Sequence, residues 1–481
     1  MIKGVLISFL GIFWMNIRIT NQLHITAVPE AIRAELVSRL QFLNPKWVEN
    51  ERMGRWNRGV PKTLQFFRRR GPNGLVVPRG LMRQLILLAR EHDEPVDIDD
   101  RRRKVDEVAF DFNGALRPFQ KLAVTRMLAR DFGTLSAPTG SGKTIMALWM
   151  IARRRQTTLI VVHSNELAKQ WIERIEMHLG IPPEHIGFIG GGKQRLGASV
   201  TVAMVQSLYK CAEHVAPAIG HLVVDECHRA PSRTFTEAVT AFDAHYMLGL
   251  SATPWRRDGL SRLIFWHLGD VHHEVKAGDL VAAGHLLDID VVFRTTPFAS
   301  YADPVSEYSK MLSELTQHDE RNRLIVADVH RAVQVENRPG VSLVLSDRKH
   351  HCQVLKALLQ HKYHIRVEAL TGDLSTEQRD AVLQRLNAGD IQVLVATGQL
   401  IGEGFDCPRL STLFLATPVR FSGRIIQYLG RVLRPSEGVQ RAKVYDYVDG
   451  QVAPLKAAAL ARQKIYSKMQ RSGKIDWETG A

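Results

Sequence analysis

From about residue 110 onward, short apolar runs alternate with longer stretches in which apolar residues recur every three or four positions. TLIVVH (158–163), HLVVDE (221–226), YMLGLSA (246–252), VSLVLS (341–346) and IQVLVAT (391–397) have strand length and little internal polarity. Such runs suit strands buried on both faces. Residues 166–179 and 376–388 carry the helical period and read as intervening helices. The alternation predicts an α/β fold, doubly wound parallel sheets with helices on both faces. One such sheet cannot hold so long a stretch, so two lobes are expected, joined near 275–295. Upstream, helical periods over 29–43 and 80–91, and a strand-like alternation at Ile17 and Ile19, predict a small α+β module. The run EHDEPVDIDDRRRK (91–104) lacks apolar periodicity and reads as a linker. The expected divisions are 1–14, 15–105, 106–280, 281–460 and 461–481.

Composition narrows the class. With 45% hydrophobic and 23% charged residues, the 481-residue chain reads as globular and too long for one domain. A formal net charge of +15 favours a polyanionic partner. Cys211, Cys227, Cys352 and Cys407 are scattered with no CxxC pair, which argues against a zinc site or disulfide framework and fits a reducing cytoplasm. The opening MIKGVLISFLGIFWMN imitates a signal peptide or anchor, but its apolar run is shorter than the roughly 20 residues that span a bilayer. Residues 1–14 are therefore expected to be dispensable, the folded unit to begin at Met15, and the membrane to play no part. ARQKIYSKMQRSGK (461–474) reads as a basic, solvated helix.

GRWNRGVPKTLQFFRRR (54–70) alternates cations with rings. Aromatic faces can stack on bases and guanidinium groups can clamp phosphates. By itself the stretch suits either a nucleic-acid grip or a basic amphipathic surface.

TLSAPTGSGKT (134–144) has the order strand, glycine loop, helix. Gly140 and Gly142 let the backbone curl so that N–H groups face phosphate oxygens, with Pro138, Thr139 and Ser141 completing the loop. Lys143 reaches the β- and γ-phosphates of ATP, and Thr144 ligates Mg²⁺. Ala137 holds the place where the general pattern begins with glycine. HLVVDECH (221–228) is an apolar strand that ends in two carboxylates. Downstream of a phosphate loop, Asp225 is placed to hold Mg²⁺ and Glu226 to orient or deprotonate the attacking water.

In these motifs the chain resembles a superfamily 2 helicase, over most of residues 110–440. LRPFQ (116–120) looks like the adenine-side motif, which implies Gln120 and Arg117 near the base. VVHSNELAKQW (161–171) and VAMVQSL (202–208) resemble strand-contacting motifs, implying Ser164, Gln206 and Ser207 on nucleic acid. The resemblance gives His228 of DECH, with Ser251, Ala252 and Thr253 of GLSATP, a coupling role. ATGQLIGEGFDCP (396–408) resembles the motif touching both strand and nucleotide, through Thr397, Gly398, Gly404 and Asp406. QYLGRVLRP (427–435) supplies Gln427 and the finger-like Arg431 and Arg434, which neutralise charge on the transferred phosphoryl group. DECH and LGRVLRP point to the branch that includes the XPB and UvsW helicases and restriction-enzyme motors, rather than to RNA-specific DEAD-box enzymes.

The resemblance implies two RecA-like lobes and an ATP- and Mg²⁺-dependent motor on double-stranded, forked or branched DNA in repair or recombination. RNA, or a restriction complex with a nuclease partner, is the alternative, and the motor is expected to be monomeric. Residues 44–80 resemble the small N-terminal module of such motors. That context favours the grip through Arg55, Trp56, Arg68, Arg69 and Arg70; the alternative is that Trp56, Phe66 and Phe67 build the module's core, and the two are compatible if rings point inward and arginines outward.

Overall fold

Met15, Ile17 and Ile19 are buried while Asn16 and Arg18 between them point outward, so the first strand follows its period of two. The computed structural model describes the chain except for residues 1–13, 230–232, 253–259, 403–404, 406, 408, 420–421, 433–434, 436–437, 471 and 480–481. The N-terminal strands are β1 (Met15–Ile19), β2 (Gln22–Thr26), β3 (Gln41–Leu43), β4 (Thr63–Gln65), β5 (Arg68–Arg69), β6 (Leu75–Pro78) and β7 (Val96–Asp100). Five of them form a sheet in the order β5-β6-β2-β1-β7, and β3 pairs with β4 separately. The helices Glu30–Leu40 and Met82–Glu91 cover this sheet and supply Ile32, Leu36, Leu85 and Leu88 to its core. The first helix ends three residues before the expected boundary, because Gln41–Leu43 turn to pair with β4.

The linker expected at 91–104 is corrected by this structure. β7 lies in that run and pairs in parallel with β1. Asn16 Nδ2 donates to Asp97 (2.9 Å) and Arg18 Nε to Asp99 (2.9 Å). Arg102 Nη2 donates to both Asp100 (2.6 Å) and Asp131 (2.8 Å). Dense charge hid a strand whose partners lie some 81 residues away.

The first large sheet contains β8 (Phe132–Ser136), β9 (Thr158–Val162), β10 (Gly187–Gly190), β11 (Lys193–Arg195), β12 (Val200–Met204), β13 (His221–Val224), β14 (Tyr246–Ser251) and β15 (Val271–Glu274). Their order is β11-β10-β12-β9-β13-β14-β8-β15, parallel apart from the β10–β11 hairpin. The second large sheet contains β16 (Asp288–Thr295), β17 (Val341–Ser346), β18 (Val367–Leu370), β19 (Val393–Thr397), β20 (Leu410–Leu415), β21 (Arg441–Val448) and β22 (Ile475–Thr479). Their order is β18-β19-β17-β20-β21-β16-β22, all parallel. The five apolar runs are β9, β13, β14, β17 and β19, so the predicted α/β class is the observed one. By contacts the chain divides into Met1–Ser136 with Thr144–Glu274, and Val275–Ala481 with Ala137–Lys143.

The expected basic tail from 461 is also corrected. The helix Ala453–Met469 buries Arg462, whose guanidinium meets Asp446 at 2.7 and 2.6 Å, and Tyr466, which donates to the same carboxylate at 2.8 Å. β22 then extends the sheet beside β16. Among the described residues, no helix is long and apolar enough to cross a membrane.

Three buried histidines make stability sensitive to acid. Burial lowers His267 to about 4. Burial, with Arg321 nearby, lowers His351 to about 3. Burial and Arg154 hold His221 well below the usual value. All three are neutral when folded and take up a proton near 6.5 when unfolded. Their contribution is therefore whole above pH 6.5 and is lost as pH falls toward the folded values, at about 1.4 kcal/mol per pH unit for each. Denaturant midpoints measured from pH 7 to 5 should fall accordingly, and His351→Gln should flatten that dependence.

Candidate nucleotide and hydrolysis site

In a parallel sheet the loops after the carboxyl ends of neighbouring strands gather at one edge. Ser136, the last residue of β8, pairs with Ser251, the last of β14, and Val224 of β13 pairs with Gly249. The glycine loop, the DECH turn and the start of the coupling motif therefore leave from adjacent strand ends.

The loop after β8 has Gly140 at φ +85° and Gly142 at +82°, conformations in which any other residue would be strained. Ser141 donates its N–H (3.2 Å) and its hydroxyl (2.7 Å) to Pro138 O and closes the curl. Lys143 Nζ donates to Ala137 O at 3.2 Å, so the ammonium lies across the loop it is expected to serve. Pro138 is buried, Thr139 half-buried and Gly140 exposed, and half-buried Thr144 lies in the first turn of the helix Lys143–Arg154. This donor set fits a triphosphate with its Mg²⁺.

Asp225 is held from two sides. Trp171 Nε1 donates to its Oδ2 at 2.8 Å, and the Glu226 N–H donates to its Oδ1 at 2.9 Å. Its own N–H continues the ladder to Val161 O at 3.0 Å. Glu226 sits at φ +47°, a left-handed conformation that costs a non-glycine residue about 1–2 kcal/mol. His228 Nδ1 stands 3.2 Å from Glu226 Oε2 and 3.1 Å from the buried Ser251 Oγ. The proposed hydrolytic carboxylate is thus linked through one imidazole to the coupling strand, and Ala252 follows half-buried. Trp171 was not singled out from the sequence. The only signal was its place at the end of a motif, and the structure gives it a further role as an indole donor to Asp225.

The remaining candidates are scattered. The Arg117 N–H donates to Gln120 Oε1 at 2.9 Å in a capping box, so that oxygen secures the start of the helix Pro118–Leu128. Ser164 caps the helix Asn165–Leu179 by accepting from Leu167 N–H at 3.3 Å. Gln206 is exposed and donates to His163 O at 3.2 Å, with Ser207 half-buried beside it. Thr397 is half-buried at the end of β19. A Cβ at the buried Gly398 would lie 2.3 Å from Tyr428 Oη, so packing alone demands glycine there. Buried Gln427 and half-buried Arg431 share a face of the helix Ser422–Val432. Thr253, Gly404, Asp406 and Arg434 lie outside the described residues.

In the N-terminal module, Phe67 is buried and Phe66 stacks on Phe42, centroids 5.9 Å apart, and leans on Trp266 at 5.4 Å. Trp56, expected either on nucleic acid or in the module's core with these rings, is 89% exposed, and Arg55 is exposed beside it. Arg68 donates to Gln22 Oε1 at 2.8 Å, Arg70 lies 3.2 Å from His24 Nδ1, and Arg69 is exposed. Partial burial lowers the His24 pKa, and Arg70, Arg68 and Arg18 lower it further, a sign of concentrated positive charge.

Residues 113–256 match the family described as type III restriction enzyme, res subunit, and residues 324–436 match the helicase conserved C-terminal domain. The chain is 27% identical over 353 residues to DNA 3'-5' translocase XPB2 of Sulfurisphaera tokodaii, covering 67% of this chain and 79% of that protein. Among solved structures it resembles S. cerevisiae Dbp5 bound to RNA and ADP BeF3, with TM-score 0.55, 16% identity, and 75% of this chain and 89% of that one covered. It also resembles the ATP-dependent Type ISP restriction-modification enzyme LlaBIII bound to DNA, with TM-score 0.56, 13% identity, and 82% of this chain and 34% of that one covered. At such identities the likeness to these structures is one of fold.

Proposed function

Because this chain belongs to the superfamily 2 helicases of the type III restriction and XPB kind, we propose that it is a DNA-stimulated ATPase that moves on or remodels DNA. The observation that carries this reading is the series of hydrogen bonds and close contacts Trp171–Asp225–Glu226–His228–Ser251. In it a preoriented carboxylate, a second carboxylate suited to water and a coupling strand are held together.

Lys143 and the N–H groups of Thr139, Gly140 and Gly142 bind the triphosphate. Thr144 and Asp225 would hold Mg²⁺, whose charge would offset that of the phosphate oxygens when bound. Glu226 takes the proton of the attacking water, and His228 passes the state of that carboxylate to Ser251. Gln427, Arg431 and Arg434 take the roles that the family resemblance gives them, the arginines by offering charge to a transferred phosphoryl group. Ser164, Gln206, Ser207, Thr397 and Gly398 belong to the polynucleotide path, with Arg68 to Arg70 extending it.

The name of the XPB2 relative supports DNA as the track, and the +15 charge supports a polyanion of either kind. Phosphate release should rise at least tenfold with single-stranded, duplex or forked DNA and less with RNA of matched length. Release that ignores every polynucleotide, or survives Lys143→Ala, overturns the proposal. Stimulation by RNA alone moves the substrate to RNA.

A further inference from the structure

Residues 44–62 make an excursion that buries almost nothing. The helix Pro45–Arg52 has no buried residue, yet the segment is tightly cross-bonded by three asparagines. Asn44 accepts from Lys46 N–H at 3.0 Å and donates to Pro61 O at 2.9 Å, tying the two ends together. Asn50 Nδ2 donates to Asn57 Oδ1 at 3.0 Å. Asn57 Nδ2 donates to Trp47 O at 3.3 Å and to Glu51 Oε1 at 3.1 Å. A segment ordered by polar bonds rather than by a core exists to hold a surface in place. What it holds out is Trp56, 89% exposed, between the exposed Arg55 and Arg58.

The base of the excursion is firm. β3 and β4 pair there, and Phe42 and Phe66 pack on Trp266 of the helix Ser261–Leu268, with the Arg262 guanidinium 3.5 Å over the Phe42 ring. That helix follows β14, the strand ending in Ser251, so the excursion is mounted on the ATP-coupling lobe itself.

We propose that this excursion is a wedge whose Trp56 ring stacks on the last base pair, or the first unpaired base, of a DNA fork, while Arg55 and Arg58 hold the flanking phosphates. The inference rests on the DNA-motor reading and adds the place where the strands part. Charge selects this occupant: five cations stand between residues 44 and 62 against Glu49 and Glu51 alone. An aromatic face flanked by guanidinium groups matches a base with its phosphates. Because the Asn-bonded turn is ordered beforehand, little freedom is lost when the ring engages.

The test uses the full chain, a forked duplex with 2-aminopurine at the junction pair, and a single strand of equal length. The wild type should change the probe's fluorescence on binding. Trp56→Ala should abolish that change, weaken fork binding on the order of tenfold, and slow strand separation to match. The unfolding midpoint should stay at the wild-type value, since the ring is in solvent. Trp56→Phe should restore most of the probe signal. A Trp56→Ala protein with wild-type fork affinity and probe signal overturns the wedge while leaving the motor intact. A wild type whose ATPase ignores all DNA removes the motor reading and the wedge with it.

Discussion

Glu226→Gln should leave the chain folded and able to take up nucleotide while slowing phosphate release by on the order of 10²- to 10⁴-fold. The amide has the shape of the carboxylate and keeps an oxygen toward His228 Nδ1, 3.2 Å away in the wild type. It cannot accept a proton from water. The backbone makes this substitution informative, because Glu226 is held at φ +47° and its N–H bonds to Asp225. Neither feature depends on the side-chain charge, so geometry is preserved while basicity is lost. Steady-state phosphate release at saturating DNA, with equilibrium binding of a fluorescent ATP analogue, separates the two. Turnover within threefold of wild type would remove Glu226 from the hydrolytic role.

Asp449→Ala should destabilise the second unit by about 3–5 kcal/mol, a large share of the 5–15 kcal/mol typical of a domain. Arg321 and Asp449 are both fully buried, with Nε to Oδ1 at 2.8 Å and Nη2 to Oδ2 at 3.3 Å. Thr296 Oγ1 donates to Oδ1 at 2.6 Å, and Arg321 Nη1 donates to Ala416 O at 2.6 Å. The substitution leaves a guanidinium in the interior without its counter-charge, and the cost comes from that stranded charge. The double change Arg321→Met with Asp449→Leu should recover most of the loss, because an apolar pair of similar volume needs no compensation. Denaturant unfolding and soluble yield read both. A double variant as unstable as Asp449→Ala would show that the loss comes from packing.

Both residues also mark where reading the chain falls short. Asp225 and Glu226 stand out because an apolar strand ends in two carboxylates, a pattern written in consecutive residues. Arg321 and Asp449 do not stand out, since each is an ordinary charge until the fold places them together across 128 positions. Trp171 and Asp225 are 54 positions apart, and their bond depends on which strand lies beside β13. Val96–Asp100 was hidden in the same way, because pairing with β1 rather than any apolar run makes it a strand. The aromatic stretch at 54–70 divided on the same principle. Phe66 found Trp266, 200 positions away, and Trp56 found solvent.

Local order therefore determined the α/β class, the glycine loop, the carboxylate pair and the succession of motifs. Backbone conformation and burial period arise among near neighbours, and composition reports them directly. Tertiary structure alone decided which carboxylate an indole would orient, which charges would be buried in pairs, and which rings would face water. Those outcomes follow from strand order and register, which bring together residues whose separation along the chain carries no trace of their contact.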